Sequence, residues 1–204
     1  MSVLYHGVPR EMLGEVIFPL SRLASIDAPR YEFQRSKYAG REAALDFRVP
    51  HLDVLLNDTV HCACLHPYHL YQARRLVGLD PPRRPVNRPE APSWMTGQAF
   101  EIPLERISDH SAVWYSARTL WINGAPNEDV PLTPPRDEFE PFDPERYRPL
   151  NAATPAHINY LRRMKDRGER PLMFVHIPHI LVAGPIDVSG LRIVSWDKPP
   201  EHND

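Results

Sequence analysis

Glycine and cysteine are scarce in this chain of 204 residues. There are 9 glycines and 2 cysteines, against 24 prolines. The two cysteines, Cys62 and Cys64, are separated by one residue and are too close to form a disulfide framework. Few glycines together with many prolines indicate stiff, ordered loops rather than flexible linkers.

The sequence also lacks a long apolar run and a strong net charge. The N-terminal stretch MSVLYHGVPREM has no apolar signal core, and no run approaches the ~20 apolar residues that a spanning helix needs. The formal charge is −2, from 24 basic and 26 acidic residues, so no long-range attraction to nucleic acid or to an anionic membrane is expected. We therefore expect a cytoplasmic protein of the reducing compartment without a membrane partner.

The patterns that are present predict one α+β domain over residues 1–204. Short apolar runs rich in strand formers predict strands at 3–6, 59–65, 98–102, 112–116, 119–122, 171–176, 180–183 and 191–196. Helical patterns predict helices at 31–48, with a break at Gly40 as the alternative, at 68–77 and at 154–167. Thr154 and Pro155 suit the cap and first position of the last helix.

Two loops interrupt this pattern. Residues 80–93 are proline-rich and predict an irregular surface loop, with a linker between two domains as the alternative. We prefer the loop because neither half of the chain looks complete alone. Residues 127–149 are acidic and proline-rich, and Phe139, Phe142 and Tyr147 can anchor them, so we expect a long ordered excursion.

The stretch from Leu52 to His69 holds both cysteines and three histidines, which are zinc-ligand types. On a strand, however, alternate side chains face opposite ways, so Cys62 and Cys64 share one face and His61 lies on the other. No second cysteine pair follows. Thiols packed as small apolar groups are therefore favoured over a zinc site or a nucleophile, and no metal is expected. A zinc-stabilised accessory protein stays an alternative.

Three motifs are candidates for function. Leu4-Tyr5-His6-Gly7 ends the first predicted strand, where the glycine lets backbone approach a flat ligand and the imidazole can donate to a ribose hydroxyl. The alternative interpretation is that His6 has only a structural role before a turn. The other two motifs are the Leu56-Asn57-Asp58 turn, which launches a strand, and the late segment PLMFVHIPHIL.

Together these motifs resemble the ADP-ribosyltransferase fold, and in particular the DarT-like family of nucleic-acid-modifying enzymes. The resemblance implies a split, mostly antiparallel central sheet flanked by helices. It also implies NAD as the substrate and a nucleic acid or protein as the acceptor. His6 would hold the ribose next to nicotinamide, Gly7 would admit the nicotinamide, and both His176 and His179 could face the same cleft. Asn57 and Asp58 would fix the geometry of the cofactor-binding loop.

The catalytic residues are where the chain departs from the family. The late strand of the family begins with a glutamate, whereas here Leu172 or Met173 stands there, and the nearest acid is Glu169. The family's arginine after the central strand is also missing, which leaves Arg41 as the substitute. The resemblance thus implies either a transferase that uses Arg41 and Glu169, or a non-catalytic module of the same fold that binds a nucleotide or a partner.

Overall fold

A seven-stranded sheet forms the centre of the fold. The computed structural model of the chain describes residues 2–9, 12–38, 42–79, 97–120, 131 and 133–201. The strands are β1 (Val3–Gly7), β2 (Val16–Ile17), β3 (Thr59–Ala63), β4 (Gln98–Pro103), β5 (Ala112–Tyr115), β6 (Phe139–Pro141), β7 (His179–Ala183), β8 (Ile186–Asp187) and β9 (Ile193–Ser195). The order in the sheet is β6-β5-β7-β3-β1-β4-β9, and β2 pairs with β8. The registered pairings between these strands are antiparallel.

Among the described residues, four α-helices accompany the sheet: α1 (Leu20–Ile26), α2 (Ala28–Arg35), α3 (Pro67–Leu76) and α4 (Pro155–Asp166). The start of α4 is as predicted, because the Thr154 hydroxyl accepts from the backbone N–H of His157 at 3.1 Å. Helix α3 begins at Pro67 and ends at Leu76, each one residue before the bounds predicted at 68–77. The chain thus forms a single α+β domain with a mostly antiparallel sheet flanked by helices. No helix in the described part of the chain is both long and apolar enough to cross a membrane.

The helix predicted at 31–48 is wrong. It begins earlier, where the Asp27 carboxylate accepts from the N–H of Arg30 at 3.0 Å, and it ends at Arg35. The Ser36 hydroxyl then donates to the Phe33 carbonyl at 2.7 Å, a local bond that competes with continued helix. The apolar residues beyond this point are buried in the core from short turns rather than from one helical face.

The strand predicted at 171–176 is also wrong, because the backbone of this segment bonds to helix α4 instead of to a neighbouring strand. His176 has a φ of 58°, which is incompatible with a continuous strand. Three bonds hold the segment: Leu172 N–H to Tyr160 Oη at 3.0 Å, His157 Nδ1–H to the Val175 carbonyl at 2.7 Å, and Thr154 Oγ1 to the His176 carbonyl at 2.8 Å.

The predicted loops are described only in part. Residues 80–93 lie outside the described residues, as do residues 121–122 of the strand predicted at 119–122, and residues 119–120 are not in a strand. Most of the excursion 127–149 is described and includes β6. Within it Tyr147 is buried, and its hydroxyl donates to the Val3 carbonyl at 2.9 Å.

The two faces of the sheet bury different kinds of side chain. One face, called the closed face below, is an apolar cluster on the central strands: Leu4, Val60, Cys62, Cys64, Phe100, Ile102, Ile180 and Val182. Both cysteines are fully buried there, and His61 lies on the opposite face, as the strand alternation predicted.

Strands β1 and β3 meet at the middle of the sheet with a single registered pair, Tyr5 and Ala63. By contrast, β1 pairs with β4 at five positions. The sheet is therefore held together most weakly beside the end of β1, where His6 and Gly7 lie.

Candidate functional site

A shallow crevice opens on the face of the sheet opposite the closed face. Its lining comes from β1, β3, β4, the start of α3, the segment before β7 and the chain after β9: Tyr5, Gly7, Ala63, Leu65, Pro67, Leu70, Gly97, Gln98, Ala99, Met173, Phe174 and Trp196. The cavity volume is about 30 Å³. Enclosed ligand pockets are roughly ten or more times larger, so a ligand of nucleotide size would lie in an open groove.

The floor of the crevice is made of the smallest residues available. Gly7 pairs with Ala99 across β1 and β4, and Ala63 pairs with Tyr5 across β1 and β3. A flat ring could therefore approach the backbone of the sheet closely at this point. Larger apolar side chains, such as Met173 and Phe174, rise around this floor.

Gly97 lets the Trp196 indole form one wall. Its φ is 74°, and a Cβ built on it would overlap the indole. Only glycine meets both requirements without strain. Trp196 in turn contacts the ring of Tyr71 in α3, with ring centroids 5.3 Å apart, so the wall is tied to the helix.

His6 lies where β1 separates from β3. Its Nδ1 is 2.9 Å from the His61 carbonyl oxygen. A carbonyl only accepts, so Nδ1 carries the proton and Nε2 of the neutral ring is an acceptor. Burial holds the pKa of His6 below its usual range, so the ring is neutral at pH 7. His6 can thus accept from a ribose hydroxyl, whereas the sequence suggested that it donates.

A pair of histidines lies beside this point, on the crevice side of the sheet. The rings of His61 and His179 have centroids 6.4 Å apart, and Phe174 of the crevice lining contacts His179 at 5.4 Å. Burial lowers the pKa of His61 to about 4, and burial together with the His61 ring lowers the pKa of His179 to about 3. Both rings are therefore neutral at pH 7.

Of the predicted site residues that the structure describes, only Gly7 lines the crevice; His6 adjoins it through Gly7. His176 turns away, with its Nδ1 3.3 Å from the Ala117 carbonyl and its ring against Tyr160. Glu169 lies just beyond the end of α4, where its charge adds to the larger effect of burial in raising the pKa of Tyr160. Arg41 lies outside the described residues. The structure thus brings His179 to this region, rather than His176.

Asn57 and Asp58 shape the start of β3. The Asp58 carboxylate accepts from the N–H of Leu55 at 3.1 Å, which holds the short 3-10 turn Leu56–Asp58. Asn57 Oδ1 is buried and has no hydrogen-bond partner among the described residues. Neither residue lines the crevice, so their observed role is the geometry of the turn.

Sequence reasoning missed a polar group beside the crevice. Tyr5 is the registered partner of Glu101, and its ring contacts His66 edge to face at 5.1 Å. Burial and then the Glu101 charge raise the pKa of Tyr5 to about 12, while Arg192 acts in the opposite direction. Strand alternation could have put Glu101 and Ala99 on one face, but the pairing of β1 with β4 cannot be read from the sequence.

Metal ligands and known proteins were the two other sources of functional evidence. In the part of the chain that the structure describes, no group of three or more His, Cys, Asp or Glu side chains could hold a metal ion. No protein-family model, no curated protein and no solved structure matches the chain. The crevice is therefore the feature from which a function is inferred.

Proposed function

We propose that this chain is an ADP-ribosyltransferase-like domain that binds NAD in the crevice. The observation that carries the proposal is the position of the His6-Gly7 motif. The motif ends β1 beside the single β1–β3 pair, and Gly7 forms part of the crevice floor. This is the arrangement that the family resemblance implies for the nicotinamide end of NAD.

The lining suits a flat, mostly apolar ring. The floor of Gly7, Ala63 and Ala99 would receive the face of the nicotinamide, and the side chains of Phe174 and Trp196 would cover its edges. A ribose that reaches the gap between β1 and β3, beside this lining, would donate a hydrogen bond to Nε2 of the neutral His6 ring. Each of these contacts uses a neutral group, so binding of this end should change little between pH 7 and 9.

Binding without transfer is the better-supported form of this proposal. ADP-ribosyl transfer breaks the bond between the ribose and nicotinamide, releases nicotinamide and joins the ribose to an acceptor. A carboxylate beside the ribose would stabilise the positive charge that develops. Among the described residues no Asp or Glu lines the crevice, and Glu169 lies at the end of α4. Transfer to a nucleic acid or protein acceptor is the second candidate.

Two measurements on the purified chain test the proposal. Isothermal titration with NAD should show binding, and nicotinamide alone should compete. Incubation of labelled NAD with DNA, RNA and lysate protein separates the two forms, because only a transferase moves label to an acceptor and releases nicotinamide. A folded chain that shows neither NAD binding nor label transfer would refute the proposal.

His6→Ala tests the named contact. We expect NAD affinity to fall by about tenfold, the order expected for loss of one buried hydrogen bond. His110→Ala is a matched control, because the His110 Nδ1 also bonds to a backbone carbonyl, that of Ala183 at 3.0 Å, but His110 is not adjacent to a residue of the crevice lining, whereas His6 precedes Gly7. Equal affinities of the two variants would remove the role proposed for His6.

A further inference from the structure

A second polar site adjoins the crevice, beyond the ring of Tyr5. Three neighbouring strands supply it. Tyr5 of β1 pairs with Glu101 of β4, and the N–H of Glu101 bonds to the Arg192 carbonyl at 2.9 Å, next to β9. Tyr5, Glu101 and Arg192 therefore lie side by side on three neighbouring segments of the sheet. They carry a phenol, a carboxylate and a guanidinium.

The register places the side chains of these residues on one face. Tyr5 pairs with Glu101, and the pairing of Phe100 with Ile193 puts Arg192 opposite Glu101, so the three side chains share the crevice side of the sheet. Burial is the largest effect on the pKa of Tyr5; Glu101 raises this pKa further, and Arg192 lowers it. Arg192 also lowers the pKa of His66, after the larger effects of burial and of His69, and His66 lies against the Tyr5 ring.

His66 presents a fixed donor. It precedes α3, and its Nδ1 accepts from the N–H of Tyr68 at 3.1 Å. A backbone N–H only donates, so the proton of the neutral His66 ring is on Nε2. The terminus of α3 is already capped in this way, and the site therefore does not depend on free N–H groups of the helix.

Two polar atoms at this site, Tyr5 Oη and His66 Nε2, have no hydrogen-bond partner among the residues that the structure describes. Tyr5 is 8% exposed and His66 is 4% exposed. Within the described residues neither Tyr5 Oη nor His66 Nε2 makes a hydrogen bond, and neither is among the polar atoms sealed from solvent. Side chains buried to this degree normally have their polar atoms satisfied, so a ligand or ordered water is expected there.

We propose that Tyr5, His66 and Arg192 bind the phosphoryl group of a sugar phosphate, with Glu101 accepting from a hydroxyl of the sugar. Tyr5 Oη, His66 Nε2–H and the guanidinium are three donors, which match the acceptor oxygens of a phosphate. The carboxylate of Glu101 would oppose a lone anion. It suits a ligand that carries hydroxyl donors next to its phosphate.

The ion pair that Arg192 already makes can be displaced. Its Nη2 is 2.9 Å from a carboxylate oxygen of Glu201, and the two side chains are 42% and 74% exposed. Exposed pairs of this kind contribute little to stability. A phosphoryl group with three donors around it would therefore replace the Glu201 carboxylate.

The site is continuous with the crevice, because the ring of Tyr5 lines the crevice and its hydroxyl belongs to the polar site. A ligand with a flat ring on Gly7 and a sugar phosphate beyond Tyr5 would occupy both. The assignment of this ligand as NAD rests on the proposed function, whereas the sugar-phosphate site itself does not.

Ribose 5-phosphate and NAD are the probes that test the site, with isothermal titration as the measurement. The variants are Arg192→Gln and Tyr5→Phe, and Tyr5→Phe removes only the hydroxyl. Arg106→Gln is the matched control, because Arg106 is similarly exposed (37%) and also pairs with a carboxylate, that of Asp187, at 3.1 Å. We expect ribose 5-phosphate affinity to fall about tenfold or more in Arg192→Gln, by less in Tyr5→Phe, and to stay unchanged in Arg106→Gln.

The outcomes separate this inference from the proposed function. Binding of ribose 5-phosphate that depends on Arg192, without NAD binding, would support the sugar-phosphate site and refute NAD as its ligand. Ribose 5-phosphate binding that is equal in the wild-type chain and Arg192→Gln would refute the site, and NAD binding by both chains would leave the proposed function standing. A folded wild-type chain that binds no ribose 5-phosphate would also overturn the inference.

Discussion

The two faces of strand β3 differ in the chemistry that they bury. On the closed face Cys62 and Cys64 are fully buried, and burial raises the pKa of the Cys64 thiol to about 12. On the other face His61 is only partly buried beside His179, and its pKa is lowered to about 4. One face is an apolar core without titration near neutral pH. The other holds polar groups that a ligand or a proton can reach.

The largest loss of stability should come from a substitution on the closed face. Ile180→Ala removes a fully buried side chain from that cluster, and we expect the free energy of unfolding to fall by about 2–5 kcal/mol. Urea denaturation measures it. Ile193→Ala is the control, because Ile193 is 48% exposed and should lose far less. Equal losses in both variants would show that the closed face is not the main core.

Gly97→Ala should lower the stability of the fold and also alter the crevice wall that Trp196 forms. The φ of 74° and the overlap with Trp196 predict a loss of about 2–3 kcal/mol together with displacement of the indole. Gly190→Ala is the control, since its φ is 66° but its Cβ would meet no atom within 4 Å. We expect thermal unfolding and tryptophan fluorescence to change more in Gly97→Ala. A fluorescence spectrum like that of the control would contradict the packing of Trp196 on Gly97.

A fall in pH should destabilise the fold because His61, on the crevice face, has a lowered pKa. The pKa of His61 is about 4 in the folded chain, against 6.5 for an unperturbed histidine, so between these values the unfolded state binds the extra proton. Stability is complete above pH 6.5 and falls as the pH is lowered toward 4. The contribution of His61 is at most about 2 kcal/mol between pH 6.5 and 5, from ~1.4 kcal/mol per pH unit.

His61→Asn isolates this contribution. Its free energy of unfolding should depend less on pH than that of the wild-type chain between pH 6.5 and 5, because one titrating group is gone. Cys62→Ala, on the closed face, should shift stability by the same amount at every pH in this range, since burial raises the pKa of that thiol. Parallel pH profiles for the wild-type chain and His61→Asn would contradict the lowered pKa of His61.

The smallest loss of stability should come from a substitution in the 3-10 turn Leu56–Asp58, which precedes β3. Asp58→Ala removes the acceptor for the Leu55 N–H, and we expect a loss of about 1 kcal/mol, as for other capping residues. Glu32→Ala is the control, because Glu32 makes an exposed ion pair with Arg35 and should contribute less. Chemical denaturation resolves the two. An effect of Asp58→Ala no larger than that of Glu32→Ala would remove its capping role.

Local signals in the sequence were enough for some of these features. Thr154-Pro155 marks the start of α4, and the alternation along β3 separates Cys62 and Cys64 from His61. Both depend on neighbours in the chain, so no tertiary information is needed.

The remaining features depend on distant contacts. The segment 171–176 has the composition of a strand, but α4 side chains bond its backbone, and this turns His176 away and leaves His179 at the crevice. The partnership of Tyr5 with Glu101 follows from strand register, which joins residues almost a hundred positions apart. Neither the bonding of 171–176 nor this register has a local sequence signal.

The most direct test of the account compares NAD binding by two phenylalanine variants, one on each face. Phe174 lines the crevice, and Phe142 packs against the closed-face cluster; both are partly buried. Isothermal titration should show that Phe174→Ala weakens NAD binding by about tenfold or more through lost ring contact. Phe142→Ala should bind NAD as the wild-type chain does. Equal NAD affinities of Phe174→Ala and the wild-type chain, or a wild-type chain that binds no NAD, would contradict the assignment of the crevice.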